Sequence, residues 1–276
     1  MTSREILIYL AVKHKGDWES IHDDFQVSVS EDGTQKYKYE EDFDENKAKK
    51  LISNIKSSAV TILDEEYPED LKNITRPPYV LFYHGDISLL KRPNKLAVVG
   101  SRHCSDYGLE ETNRFVKELC KDFVIVSGNA LGVDVCAHRA CLESGGKTIA
   151  VLGSGINVCY LKDNLDVYEA CKKNNLVISE YPNIVEPQPK NFPTRNRIIV
   201  GISDALLVTE GKSVSGTKIT ALLMADKNGN VCCIPTRLHE DSICNALIKG
   251  GAFLVEEPED VYDVANVRPT RPVFEK

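Results

Sequence analysis

The sequence predicts an α/β protein: a Rossmann-like, doubly wound, mostly parallel sheet behind a small helical N-terminal domain. Three observations predict it. From about Ala59, short β-rich runs alternate with helical stretches, the pattern of βαβ units. The runs are apolar throughout, as strands covered on both faces must be. The first 55 or so residues differ, with apolar positions recurring at helical spacing.

The elements follow in order. "SREILIYLAVKH" puts apolar residues on one helical face behind a Ser able to cap it. "DWESIHDDF" and "DENKAKKLISNIK" repeat the pattern more weakly. Between them, "QVSVSEDGTQKYKYEED" is polar, carries an Asp-Gly turn signal and reads as an irregular insertion. Together these segments form a helical domain over residues 1–56. Eight runs then read as strands: "AVTIL", "YVLFY", "KLAVV", "FVIVS", "KTIAVLG", "LVISEY", "ALLVTE" and "NVCCIP". Helices fall between the later ones: "LEETNRFVKELC", "GVDVCAHRACLES", "NLDVYEACKKN", "RNRIIVGIS" and "GTKITALLMADKN". The sheet domain spans residues 57–256. Residues 257–276 contain three prolines and read as a short helix and a tail.

Composition bounds the function. The 276 residues are 42% hydrophobic and 27% charged, ordinary for a globular protein with a sizeable core. No apolar run approaches the roughly 18 residues of a membrane span, and no signal-peptide pattern is seen. The expected location is cytoplasmic, with no membrane partner. Of the nine cysteines, Cys120, Cys136, Cys141, Cys171, Cys232 and Cys233 sit in apolar runs without matching CxxC pairs, and read as buried free thiols. The net charge of −7 is mostly N-terminal: residues 1–66 hold nine Lys/Arg against fifteen Asp/Glu. The remainder is near neutral, which leaves its cations free to gather on one face.

In a doubly wound sheet, ligands sit at the carboxyl ends of strands. Helix N-termini there present unpaired N–H groups and the positive end of a dipole. "KLAVV" runs into Gly100-Ser101-Arg102, "FVIV" into Ser127-Gly128, and "IAVL" into Gly153-Ser154-Gly155. "ALLV" is followed by Thr209-Glu210 and then Ser215-Gly216-Thr217. Small residues let phosphates approach the backbone. One such pair marks a tight turn; four at equivalent positions predict a shared phosphate-lined groove. Neither GxxxxGK[ST] nor GxGxxG is present, so neither a Walker-type site nor NAD is indicated, and no cofactor is expected.

"KNFPTRNRIIVGIS", Lys190 to Ser203, is the most informative stretch. Arg195, Asn196 and Arg197 fall in the first turn of a helix, facing the positive end of its dipole. With Lys190 and Phe192 they read as cations tracking a single-stranded nucleic acid beside an aromatic face. The competing reading is ion pairs with acidic residues plus a core Phe, and the two arginines can divide between these roles. Asp134 and His138 share a helical face. They offer an acid–base couple or, the favoured reading, a helix N-terminal Asp and a His packed on the sheet. With Cys141 they find no matching ligand cluster for a metal. Glu180 and Glu210 are further carboxylates at strand ends, but spacing identifies no nucleophile–base pair.

With these residues assembled, the chain resembles the DprA/Smf family, the DNA-processing proteins of bacterial natural transformation. "VVGSRHCSDYG", "VSGNALGVDVCAHRACLESGGKTIAVLGSGINVCYLKDN", "VISEYP", "NFPTRNRIIVGISDALLVTEG" and "SGTKITA" follow in family order. The resemblance implies a protein that is not an enzyme. It would bind and protect incoming single-stranded DNA and load RecA onto it, alongside single-stranded-DNA-binding protein. It implies DNA contacts at Gly100, Ser101, Arg102, Lys162, the Lys190–Arg197 stretch and Ser215-Gly216-Thr217, with Phe192 against a base. Ser127 and Gly128 belong to the same strand-end set. It also implies a SAM-like N-terminal domain and a homodimer whose surface overlaps that for RecA. That surface points to Met224 and to "SICNALIKGGAFLV", with Leu247, Ile248 and Phe253. Three positions depart from the family pattern: Thr236 for Gly, Ile243 for Gly, and Gly211 for Ala. The rival within the fold is a nucleotide-binding protein or a phosphoribohydrolase. The latter's catalytic glutamate would align with Thr220, which removes its acid–base group.

Overall fold

The computed structural model describes residues 1–29, 35–39, 44–183, 185–213, 215–238 and 240–269. Helix α1 (Ser3–Lys13) starts at Thr2, whose hydroxyl accepts from the Glu5 amide while the Glu5 carboxylate accepts from the Thr2 amide. This reciprocal cap satisfies two otherwise orphaned N–H groups. Helices α2 (Trp18–Asp24) and α3 (Glu45–Ser53) are capped by Asp17 and Asp44. Between them the stretch expected to be irregular contains an antiparallel hairpin, β1 (Phe25–Val29) against β2 (Gln35–Tyr39). The alternation in "FQVSV" and "QKYKY" was the missed signal, a period of two inside a polar segment. Its Asp32-Gly33 turn lies outside the described residues. Ile6, Leu7, Leu10 and Ala11 of α1 share one core with Phe82, Ala150 and Val177, so the N-terminal helices pack directly on the sheet.

All eight expected strands are present: β3 (Ser58–Thr61), β4 (Val80–Gly85), β5 (Lys95–Val99), β6 (Val124–Ser127), β7 (Lys147–Val151), β8 (Leu176–Ser179), β9 (Ala205–Val208) and β10 (Asn230–Cys233). A ninth, β11 (Phe253–Leu254), pairs in parallel with β10. Two residues are too few to show a period, and this stretch reads as helical in sequence. Only Cys244–Lys249 of it is helix. The order is β11-β10-β9-β5-β6-β7-β8-β4-β3. Pairing is parallel except at β8–β4 and β4–β3.

Helices α4 (Glu69–Lys72), α5 (Asp106–Leu119), α6 (Val133–Glu143), α7 (Leu165–Asn174), α8 (Asn191–Gly201), α9 (Gly216–Asp226), α10 (Cys244–Lys249) and α11 (Pro258–Ala265) complete the described chain. Strand residues alternate between the faces. Ala97, Val99, Val126 and Leu206 pack toward α8 and α9. Leu96, Val98, Ile125 and Leu207 pack toward α5, α6 and α11. Each fully buried Val or Leu contributes about 1.5–3 kcal/mol.

Met224, expected on an interaction surface, is fully buried in the core beneath α9. Leu247 and Ile248 are half-buried against the same core, whereas Phe253 stands exposed on the edge strand. Cys136 is half-buried; Cys120, Cys141, Cys171, Cys232 and Cys233 are buried, and all nine thiols are free. Among the described residues, no helix is long and apolar enough to cross a membrane. The order places β6, β7 and β8 on one side of β5, and β9, β10 and β11 on the other. The switch point therefore falls between the carboxyl ends of β5 and β9.

Candidate nucleic-acid interface

At the switch point the chain leaves β5 through Gly100-Ser101-Arg102. The Ser101 amide donates to the Glu210 carbonyl at 2.8 Å, stitching the β5 and β9 ends together. A Cβ on Gly100 would press against Val133 and that same carbonyl, so this crossing needs glycine. The Glu210 carboxylate accepts from the Ser105 amide and, at 2.5 Å, from its hydroxyl, anchoring the start of α5. Glu180 forms a two-pronged pair with Arg197 at 2.8 and 2.6 Å. Both strand-end carboxylates are thus committed to structure.

The groove between these ends has a volume of about 500 Å³. Its floor is Arg195, which is 3% exposed. The guanidinium donates to the carbonyls of Gly128, at 2.7 Å, and of Val151. Gly128 carries no side chain because a Cβ would strike that guanidinium. Burial pulls the Arg195 pKa down, opposed by the nearby Asp134 carboxylate. Burial pushes Asp134 up, opposed first by Arg195. Asp134 also accepts from the Gly128 amide at 3.1 Å and the Ala130 amide at 3.4 Å.

His138 points elsewhere, with Nδ1 2.7 Å from the Thr148 hydroxyl. That hydroxyl gives its one proton to the Ile125 carbonyl at 2.8 Å, so Nδ1 is the donor. Burial, then the Arg195 charge, lowers the His138 pKa to about 3. Asp134 and His138 are therefore no acid–base couple.

The rim is different. Arg102 is exposed, with its guanidinium 5.1 Å from the centroid of the Phe192 ring. Lys212 is exposed across the groove, and Lys190 and Lys162 are exposed on the flanking turns. Asn196 lines the groove and donates to the Thr220 hydroxyl at 2.9 Å. Among the described residues, no side chain caps the starts of α6, α8 or α9. Ser215 sits at the α9 N-cap, but its hydroxyl donates back to Lys212 at 2.7 Å. The first-turn amides at Gly216 and Thr217 are thus uncapped beside the groove, and α8 and α9 have no acidic residue in their first turns. Such ends favour an anion.

The sequence-predicted residues divide accordingly. Gly100, Ser101, Arg102, Phe192, Arg195, Asn196, Ser215, Gly216 and Thr217 come together on the groove. Ser127 is fully buried, donating to the Val98 carbonyl at 2.7 Å, and Gly128 lies against Arg195, so neither forms the open wall. Arg197 turns away to Glu180 and to the Arg76 carbonyl. His103, Lys212 and Tyr160 were missed. Each lies within a strand-end loop already singled out, and that proximity was the available signal.

This geometry defines a doubly wound α/β protein with an anion-receptive groove at its switch point. Residues 58–266 match the family of DNA recombination-mediator protein A, and the chain belongs to that family, the DprA/Smf DNA-processing proteins of recombination. It is 42% identical over 208 residues to DNA processing protein DprA of Streptococcus pneumoniae, covering 75% of this chain and 73% of the relative. It is 36% identical over 221 residues to the Bacillus subtilis protein, covering 78% and 74%. The X-ray structure of the Streptococcus pneumoniae protein superposes with a TM-score of 0.76 at 39% identity, over 80% of this chain and 78% of that one. A structure of Helicobacter pylori DNA processing protein A, which concerns its single-stranded DNA binding mode, gives 0.69 at 30% identity, over 76% and 96%.

Ile243 is buried, and a Cβ on Gly211 would lie 2.9 Å from its Cγ2. The glycine at 211 makes room for the Ile243 side chain.

Proposed function

We propose that the groove binds single-stranded DNA by its phosphates, and that the protein protects incoming strands and loads RecA onto them without chemistry on the DNA. One observation carries this reading: an exposed arginine and the uncapped starts of α8 and α9 converge at the switch point, in a family whose Helicobacter pylori member binds single-stranded DNA. Arg102 and Lys162 fix backbone phosphates, and the amides at Gly216-Thr217 cradle others. The hydrolase reading is disfavoured because Glu180 and Glu210 are engaged, and Thr220 is held by Asn196 where a catalytic glutamate would sit. RecA and single-stranded-DNA-binding protein are partners by family resemblance. A homodimer forms through the exposed edge of β11, where Phe253 and Leu254 stand beside Leu247 and Ile248.

Phosphate contacts carry no base information, so binding is sequence-independent and falls with salt. Neutralising four phosphates, with Arg102, Lys162, Lys190 and Lys212, gives a log–log salt slope of about −3. The test is fluorescent oligo-dT titrated with wild type and Arg102→Ala at two salt concentrations, beside a duplex control. Salt-sensitive, single-strand-selective binding that Arg102→Ala weakens about tenfold or more is expected. Equal binding of duplex, or an inert Arg102→Ala, overturns the reading and directs attention to small nucleotides.

A further inference from the structure

We propose that the nucleobase platform of the groove is Tyr160, and that Phe192 is a positioning residue for Arg102; this rests on the single-stranded-DNA reading above. The two rings touch, with centroids 5.4 Å apart and planes at 51°, yet their surroundings differ. Phe192 is partly buried and seated on Gly153, where a Cβ would lie 2.9 Å from its Cδ1. Its face carries the Arg102 guanidinium. A ring enclosed in this way has little face left for a base. It serves instead as a cation–π seat that holds the arginine toward the groove.

Tyr160 is 39% exposed and belongs to none of the hydrophobic cores. The chain on both sides of it is tied down. The Ser154 hydroxyl donates to the Val158 carbonyl at 3.0 Å, and the Asn164 side chain donates to the Asn129 carbonyl at 2.9 Å. An aromatic ring held out toward solvent on an anchored loop, beside a phosphate-seeking arginine, is suited to stack on an unpaired base. Arg102, Phe192 and Tyr160 then form one strip, with a phosphate anchor at one end and a base platform at the other. Stacking accepts every base, so Tyr160 adds affinity for bases without reading their identity.

The test compares oligo-dT with an abasic sugar–phosphate oligomer of equal length, using wild type, Tyr160→Ala, Tyr160→Phe and Phe192→Leu. Wild type should prefer oligo-dT. Tyr160→Ala should lose about tenfold on oligo-dT and nothing on the abasic oligomer. Tyr160→Phe should keep the preference, and Phe192→Leu should weaken both oligomers alike. A 2-aminopurine oligomer should be quenched by wild type and Tyr160→Phe, but not by Tyr160→Ala. An unchanged preference for bases in Tyr160→Ala, or its loss in Phe192→Leu alone, overturns the proposal. Arg102→Ala separates the two failures. If it binds both oligomers like wild type, the groove reading falls; if it loses both while Tyr160→Ala is inert, only the platform does.

Discussion

Arg195 on the floor of the groove and Arg197, turned away behind it to Glu180, are 3% and 9% exposed, and each is locked to carbonyls or a carboxylate; on the rim Arg102, Lys190 and Lys212 stand exposed. The residue types are the same and the physics is opposite. A charge that has left water must be paired, so the buried cations belong to the fold. An exposed cation keeps its hydration until an anion arrives, so the rim cations cost the fold little and are free to bind. The Arg197 pKa shows the balance: burial works against the charge, and the Glu180 carboxylate outweighs it, holding the group above its ordinary value.

The contrast is broken most directly at Arg197. Arg197→Ala leaves Glu180 buried and uncompensated, with an expected loss of about 3–5 kcal/mol, read as a lowered urea midpoint. A loss below about 1 kcal/mol would mean that the buried pair with Glu180 does not hold the fold.

His138 tests the buried polar groups by pH. Its folded pKa of about 3 lies below the unfolded value near 6.5, so below that value the unfolded chain takes up a proton that the folded one refuses. The contribution is complete above about pH 6.5 and is lost as pH falls toward 3, at up to about 1.4 kcal/mol per pH unit. His138→Phe should flatten the stability profile between pH 6 and 4. An unchanged profile would mean that the buried imidazole does not titrate as its surroundings require.

The smallest effect is expected on the rim. Lys212→Ala should leave stability within about 0.5 kcal/mol of wild type and make the salt slope shallower by about 0.7. A clear loss of stability with no change in slope would erase the distinction between floor and rim.

How much of this was legible follows from the range of each interaction. The eight longer strands of the main sheet declare themselves by unbroken apolar runs, and the helices between them by spacing. Both are local signals. β1 and β2 hid in a polar segment, and β11 was too short to show a period. Met224 reads as a surface residue on motif position alone, but the turn of α9 places it against the sheet.

The candidate site was half legible. Gly-Ser and Ser-Gly pairs mark strand ends in any order, and four of them pointed to one groove. Ser127 and Gly128 share that signature and are sealed beneath Arg195. Nothing within "KNFPTRNR" distinguishes Arg195, which floors the groove, from Arg197, which meets Glu180.

The sequence alone determined the βαβ class, the strand-end location of the candidate site and the family, because periodicity and motif order are written in neighbouring residues. Tertiary structure alone decided that β5 lies beside β9, which brings Ser105 to Glu210 across 105 residues of chain. It also decided that Phe192 seats Arg102 and leaves Tyr160 in the open. Whether a charge or a ring is buried depends on what lies across from it in space, and those partners come from distant strands.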